Sequence, residues 1–372
     1  MEKYGQYRDK GSGIAPFFPI APPPSTPLLL PWHIFLVSLR LPLLVAAWVL
    51  WLALIQHLPP GGLFRKANQW CLLGIPGVWW IDLQVDGVKR GALGKRKGAL
   101  PDGGTIIAAN WTSPLDILYL AAIFDPIFTL STPHSSLVRP VSQETALAAC
   151  FGVPNPLLLG AQPAPTTLSA LVHAHPTRTI VNFPEGTTSN GRGILRLTPS
   201  LTSASPSTHV YPVSIKYAAP DIVTPIPGWL EAAKFIWRLN SAENHCIRVR
   251  VGLPLTMAAL TSPITNTTNT TKTPKNKSTT TPPNPPPPAR ARNTFESNFF
   301  DTLQTSPAPK VAGESDDSDT AVRDTTSSQR KALDAVAEDL ARLGRVKRVD
   351  LGVEEKAWFA EAWGGRGGRV RK

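Results

Sequence analysis

Fifteen consecutive residues, Leu41 to Ile55 (LPLLVAAWVLWLALI), carry no polar side chain. A run of that kind needs apolar surroundings on every side, which only a protein core or a bilayer supplies. Extended back to His33, the stretch exceeds the ~20 residues of a bilayer-spanning helix, with Arg40 and Pro42 as interruptions. It starts too late for a cleavable signal sequence, and no small-residue cleavage site follows it. The run therefore reads as a membrane anchor, either one tilted transmembrane helix or a helical hairpin dipping into one leaflet. Trp32, Trp48, Trp51 and the pair Trp79–Trp80 carry rings that favour membrane interfaces. Residues 70–81 (WCLLGIPGVWWI) are expected to lie against the membrane as well.

The rest of the chain divides by texture. Residues 1–27 mix charge, glycine and proline and read as a flexible leader; 28–81 form the anchor and interfacial segment. From Asp82, β-rich runs recur at Leu83–Val88, Thr105–Ala109, Thr179–Phe183, Val210–Tyr217 and Ile247–Val251. They alternate with helix-like segments near 114–124, 143–151, 166–175 and 229–239. Strands alternating with helices predict an α/β domain, a mostly parallel sheet flanked by helices, over 82–256. Residues 257–327 are rich in Thr, Asn, Pro and Ser and too poor in apolar surface to offset chain entropy. They read as a disordered linker, with a short helix around Phe295–Leu303. The segment 328–372 begins with an amphipathic helix that sets Leu333, Val336, Ala337, Leu340 and Leu343 at helical spacing. That helix is expected to dock on the domain or lie on the membrane, and a basic tail follows it.

Net charge is +12 and the pI near 9.8, a balance that attracts polyanions. The cations form a cluster at Lys89, Arg90, Lys95, Arg96 and Lys97 and a tail of Arg366, Arg369, Arg371 and Lys372. No zinc-finger or RNA-binding signature accompanies them. No nucleic-acid partner is expected, which leaves anionic membrane lipid. Cys71, Cys150 and Cys246 stand too far apart for a disulfide scaffold or a metal site. They read as buried, reduced thiols in a domain facing the cytosol, and no metal or other cofactor is implied.

Two polar loops follow apolar strands. Asn110-Trp111-Thr112-Ser113-Pro114-Leu115-Asp116 comes after the run at 105–109, and Phe183-Pro184-Glu185-Gly186-Thr187-Thr188-Ser189-Asn190-Gly191-Arg192 after the run at 179–183. Ligands of open α/β sheets bind beyond the carboxyl ends of strands, so the two loops predict one pocket. FPEGTTSNGR resembles the acceptor-binding block of the glycerol-phosphate and lysophospholipid acyltransferase superfamily. NWTSPLD stands at the distance of that superfamily's Asn-His-x4-Asp block, and Val210-Tyr211-Pro212-Val213-Ser214-Ile215 is similar to its later strand block. The Asn-Trp variant, the TTSNGR ending and the C-terminal RLGRVKRV…EKAWF segment resemble a divergent fungal group of lysophosphatidic acid acyltransferases.

The resemblance implies acyl transfer from acyl-CoA to a lysophospholipid, most simply 1-acyl-glycerol-3-phosphate giving phosphatidic acid. It implies an endoplasmic reticulum or lipid-droplet membrane with a cytosolic catalytic domain. Asp116 and Glu185 are its expected catalytic residues. Asn110, Trp111, Thr112, Gly186, Thr187 and Arg192 are expected to bind substrate, the arginine through its phosphate-matching fork. The sequence departs from the block in having Trp111 where a histidine would stand, and an indole cannot accept a proton. Asp116 or a distant histidine (His134, His173, His175, His209 or His245) is then the base, or the site works by orientation and oxyanion stabilisation. The alternative is a non-catalytic lipid-binding or scaffold protein on the same membrane.

Overall fold

The computed structural model describes residues 2–21, 27–89, 98–152, 164–258 and 317–364. The strands at its centre are short, apolar and covered on both faces, as parallel strands sandwiched between helices must be. β2 (Ile106–Ala109) and β5 (Ile180–Asn182) are buried along their whole length. With β1 (Val78–Val85), β3 (Ile127–Ser131), β4 (Val138–Val141), β7 (His209–Tyr217), β8 (His245–Val251) and β9 (Leu255–Thr256) they form an eight-stranded sheet of order β1-β8-β7-β2-β5-β3-β4, with β9 on β7. The central strands β7, β2, β5 and β3 run parallel, β4, β8 and β9 pair antiparallel to their neighbours, and β1 is parallel to β8. The α/β expectation holds.

Strand alternation sorts the core into two faces. Ile107, Ala109, Val181, Phe183, Val213 and Ile215 pack on one side with α3 (Pro114–Phe124), α4 (Gln143–Ala149) and residues of α1 (Leu30–Ala53), α2 (Leu63–Gly74) and α6 (Trp229–Ser241). Ile106, Ala108, Ile180 and Val210 face the other way. They meet Leu168 and Leu171 of α5 (Leu168–Ala174) and Ala332, Val336, Leu340 and Ala341 of α7 (Asp317–Gly344). The amphipathic helix thus docks on the domain, and its apolar stripe closes the second face.

α1 is one continuous 24-residue helix with Pro42 inside it. At 1.5 Å per residue it is about 36 Å long, more than the ~30 Å of a hydrocarbon core. Only Leu36, Leu44 and Trp51 are buried along it; Phe35, Leu39, Leu43, Val45, Val49 and Leu50 are exposed. A helix apolar on all sides and left uncovered has the surface of a membrane segment, by length and composition. Arg40 is not stranded there, because it donates to the carbonyls of Asn240, Ala242 and Glu243 at the end of α6. Trp51 departs from the interfacial expectation: it is buried, donates to Glu144 and lies under the guanidinium of Arg65.

Residues 70–81 are the end of α2, a turn and the start of β1, with Trp79 and Trp80 exposed on the edge strand. Two other expectations change. Cys71 is exposed and Cys246 half-buried, leaving Cys150 as the buried thiol. The leader, expected to be flexible, is pinned by aromatic packing. Tyr7 and Phe17 are buried and, with Tyr4 and Phe18, stack around Phe359 and Trp363 of α8 (Val353–Gly364). Between α7 and α8, β10 (Lys347–Arg348) pairs with β6 (Gly193–Ile194), just beyond the second motif. The proposed helix at 295–303, most of the linker, the cations from Arg90 to Lys97 and those of the tail lie outside the described residues.

Candidate active site

β2 and β5 are adjacent and parallel, with Ile107 opposite Val181, so both motif loops leave the sheet at the same edge. Asn110 continues the ladder with its side chain: its Nδ2 donates to Ile215 O at 3.0 Å, and Ile215 N donates to its Oδ1 at 2.7 Å. Ser113 then caps α3, its Oγ accepting from Leu115 N, and Pro114 occupies the first helical turn, where no N–H is needed. Asp116 closes the capping box. Its Oδ2 accepts from Thr112 N at 2.7 Å, Ser113 N at 2.9 Å and Thr112 Oγ1 at 3.1 Å, while Oδ1 accepts from Tyr217 Oη.

Glu185 crosses between the loops. Its Oε1 accepts from Trp111 N at 3.1 Å and its Oε2 from Leu195 N at 3.1 Å. The second loop returns the contact, as Ser189 N donates to Trp111 O at 2.9 Å. Trp111 is part of the core: its ring stacks on Phe183 at 4.9 Å, and its Nε1 donates to Cys150 Sγ at 3.2 Å. Gly186 has φ +67°, and a Cβ there would stand 2.9 Å from Val353 Cγ2 and 3.0 Å from Thr198 Cγ2. Glycine is needed for both the backbone and the space.

The structure adds a residue that sequence reasoning missed. Lys356 of α8 is 1% exposed, and its Nζ donates to both Thr188 O and Thr188 Oγ1 at 2.6 Å. Its place on the helical face of Val353 and Phe359, two buried apolar residues, was the available signal. Burial sets the protonation of the cluster. It raises Asp116 to about 6 against the pull of Tyr217 and the loop N–H groups, and raises Glu185 to about 8 against two backbone donors. It lowers Lys356 to about 7, although Cys150 and Glu185 act in the opposite direction. Glu185 and Lys356 are each pushed towards the neutral form by burial.

Asn110, Trp111, Thr112, Asp116, Glu185, Gly186 and Thr187 are thus gathered at one sheet edge, most of them buried. Arg192 is not among them. Its side chain is exposed and, among the described residues, makes no ion pair or side-chain hydrogen bond. The histidines also lie elsewhere. His134, His173, His175 and His209 are exposed, His134 being paired with Glu354, and His245 is buried against Leu239 O.

A fungal protein of Schizosaccharomyces pombe named "Putative lysophosphatidic acid:oleoyl-CoA acyltransferase" is 29% identical over 259 residues, 67% of this chain and 83% of its own. The protein of Saccharomyces cerevisiae named "Lysophosphatidic acid:oleoyl-CoA acyltransferase 1" is 27% identical over 224 residues, 56% of this chain and 68% of its own. The chain resembles the divergent fungal lysophosphatidic acid acyltransferases. No family model and no solved structure matches it. In this acyltransferase-like domain the two motif loops are one hydrogen-bonded unit, and Glu185 is the residue that joins them.

Proposed function

We propose that the chain is a membrane-bound acyltransferase moving a fatty acyl group from acyl-CoA to lysophosphatidic acid. The sn-2 hydroxyl oxygen attacks the thioester carbonyl, the new C–O bond forms as the C–S bond breaks, and the hydroxyl proton leaves with the CoA sulfur. The observation that carries the reading is the joining of both motif loops through Glu185 and Trp111 at the carboxyl ends of adjacent parallel strands. The names of the two fungal relatives supply the substrates.

Asp116 and Glu185 hold the two loops in register and line the reacting edge. Asp116, at about 6, is mostly ionised at neutral pH and is the carboxylate closest to a base. Lys356, near 7, is the amine able to pass a proton onward through Thr188 Oγ1. The domain faces the cytosol, where acyl-CoA is supplied, on the endoplasmic reticulum or a lipid droplet.

The test is the purified full chain in detergent with labelled acyl-CoA and a panel of lysophospholipids. Labelled phosphatidic acid from lysophosphatidic acid is the expected product. Binding of lysolipid without transfer to any member of the panel would replace the enzyme with a lipid-binding protein.

A further inference from the structure

Arg192 leaves the motif cluster and joins a different set of side chains. It lines an open hollow of about 700 Å³ together with Arg342, Arg345 and Lys347 from the α7–β10 corner. A second hollow of about 360 Å³ shares Arg192 and adds Arg8 from the leader. Arg342 is neutralised by Asp86 at 2.7 Å and Asp339 at 2.9 Å, and Glu338 is the acid on the rim. Arg192, Arg345 and Lys347 have no acidic partner among the described residues. Lys216 and Arg250 add further positive charge behind Arg345, and Arg250 is fixed by a 2.9 Å bond to Leu343 O.

Arg345 also has φ +48°, a left-handed conformation at a helix end where glycine or asparagine is usual. Three unpaired cations around one groove repel each other unless an anion enters. Two of them are guanidinium forks, the geometry that matches phosphate oxygens.

We propose that this groove binds the phosphates of the acyl-CoA nucleotide, with Arg192, Arg345 and Lys347 as ligands and Arg8 at the outer end. Clustered phosphates are also offered by anionic lipid headgroups. The position of the groove favours the soluble source: α7 covers the sheet face of Ile106, Ala108 and Val210, whereas the uncovered apolar helix α1 packs on the opposite face. Arg192 follows Gly191, where an added Cβ would stand 3.3 Å from Thr112 Cγ2 of the first motif, so the groove borders the loops that the acyl arm of CoA would have to reach. The assignment rests on the acyl-CoA reading above only for the name of the ligand.

The experiment uses full-length protein in neutral detergent and adenosine 3′,5′-bisphosphate, the phosphate-bearing end of CoA without its acyl arm. Arg192→Gln, Arg345→Gln and Lys347→Gln are exposed-site changes, so circular dichroism and melting should match the wild type. The expected result is salt-sensitive binding that weakens about tenfold with each change. In an activity assay the same variants raise KM for acyl-CoA and leave KM for lysophosphatidic acid unchanged. An acyl-pantetheine thioester, lacking the nucleotide, should be used equally by variants and wild type. Equal nucleotide binding by all the proteins overturns the proposal. So does nucleotide binding unchanged alongside lost binding to phosphatidic acid vesicles, which would give the groove to lipid headgroups. Absence of acyl transfer with nucleotide binding still lost in the variants would refute the enzyme and leave the groove standing.

Discussion

Trp111 stands at the sequence position where the resembled motif has a histidine, and it does so as a core residue stacked on Phe183 and bonded to Cys150. Trp111→His would exchange a buried indole for a smaller polar ring and leave a void. The expected loss is about 2 kcal/mol or more, read as a melting temperature lowered by several degrees, with no gain in acyl transfer. A clear rise in activity would mean that the fold tolerates the imidazole and that a base was simply missing. Glu185 makes a second prediction through its protonation. Its pKa is raised from 4.5 to about 8 on folding, so its contribution is fully present below about 4.5 and is lost as pH rises through 8. Lys356 has the opposite sign: lowered from 10.5 to about 7, it contributes above the unfolded value and loses that contribution as pH falls through 7. Melting of the wild type relative to Glu185→Gln should therefore fall steadily from pH 5 to pH 8. A difference independent of pH would show that the carboxyl stays ionised in the folded protein.

At the scale of elements, α8 is the lid of the second loop: Val353 lies over Gly186, Lys356 reaches Thr188, and Phe359 gathers the leader aromatics. Gly186→Ala should cost about 1–2 kcal/mol from the left-handed backbone alone, plus the clash with Val353 Cγ2. Adding Val353→Ala should recover only the Val353 share of the steric part, leaving the backbone part and the contact with Thr198 Cγ2. Limited proteolysis would report the same order, with α8 cut fastest in the single variant. Much of this architecture was legible beforehand, because it is written in local pattern. The helix at 114–124 and the strands at 105–109 and 179–183 follow from apolar runs bounded by Pro, Ser and Gly, and the stripe of α7 from its period. The lid was not legible. Contacts such as Lys356 with Thr188, 168 residues apart, leave no trace in a window of ten. The leader misled for the same reason, since Tyr7 and Phe17 find Phe359 only after the chain has closed on itself. The outward course of the Arg192 side chain was not legible, because a motif gives the order of residues and not the direction of a side chain.

For the whole molecule, α1 joins the membrane reading to the domain by packing Leu44, Ala47 and Trp48 against the sheet-side core while its other faces stay apolar and bare. Alkaline carbonate and high salt should both leave the intact chain in the membrane pellet; release into the supernatant would remove the anchor. The Asn266, Asn269 and Asn276 sequons, which lie outside the described residues, should show no glycosidase-sensitive shift if the domain is cytosolic. The way residues 2–21 and 345–364 meet around the second motif also bears on how the protein is made. α1 precedes the domain in the chain and emerges while most of it is still unsynthesised. Arg342, Arg345 and Lys347 of the groove, the amine beside Thr188 and Phe359 all follow both motifs in the chain, within residues 317–364. Until residues 317–364 are made, a nascent chain holds α1 and both motifs but lacks the helix over Gly186 and leaves the Ile106 face without α7, so a ribosome stalled before them should display an unfinished domain to chaperones.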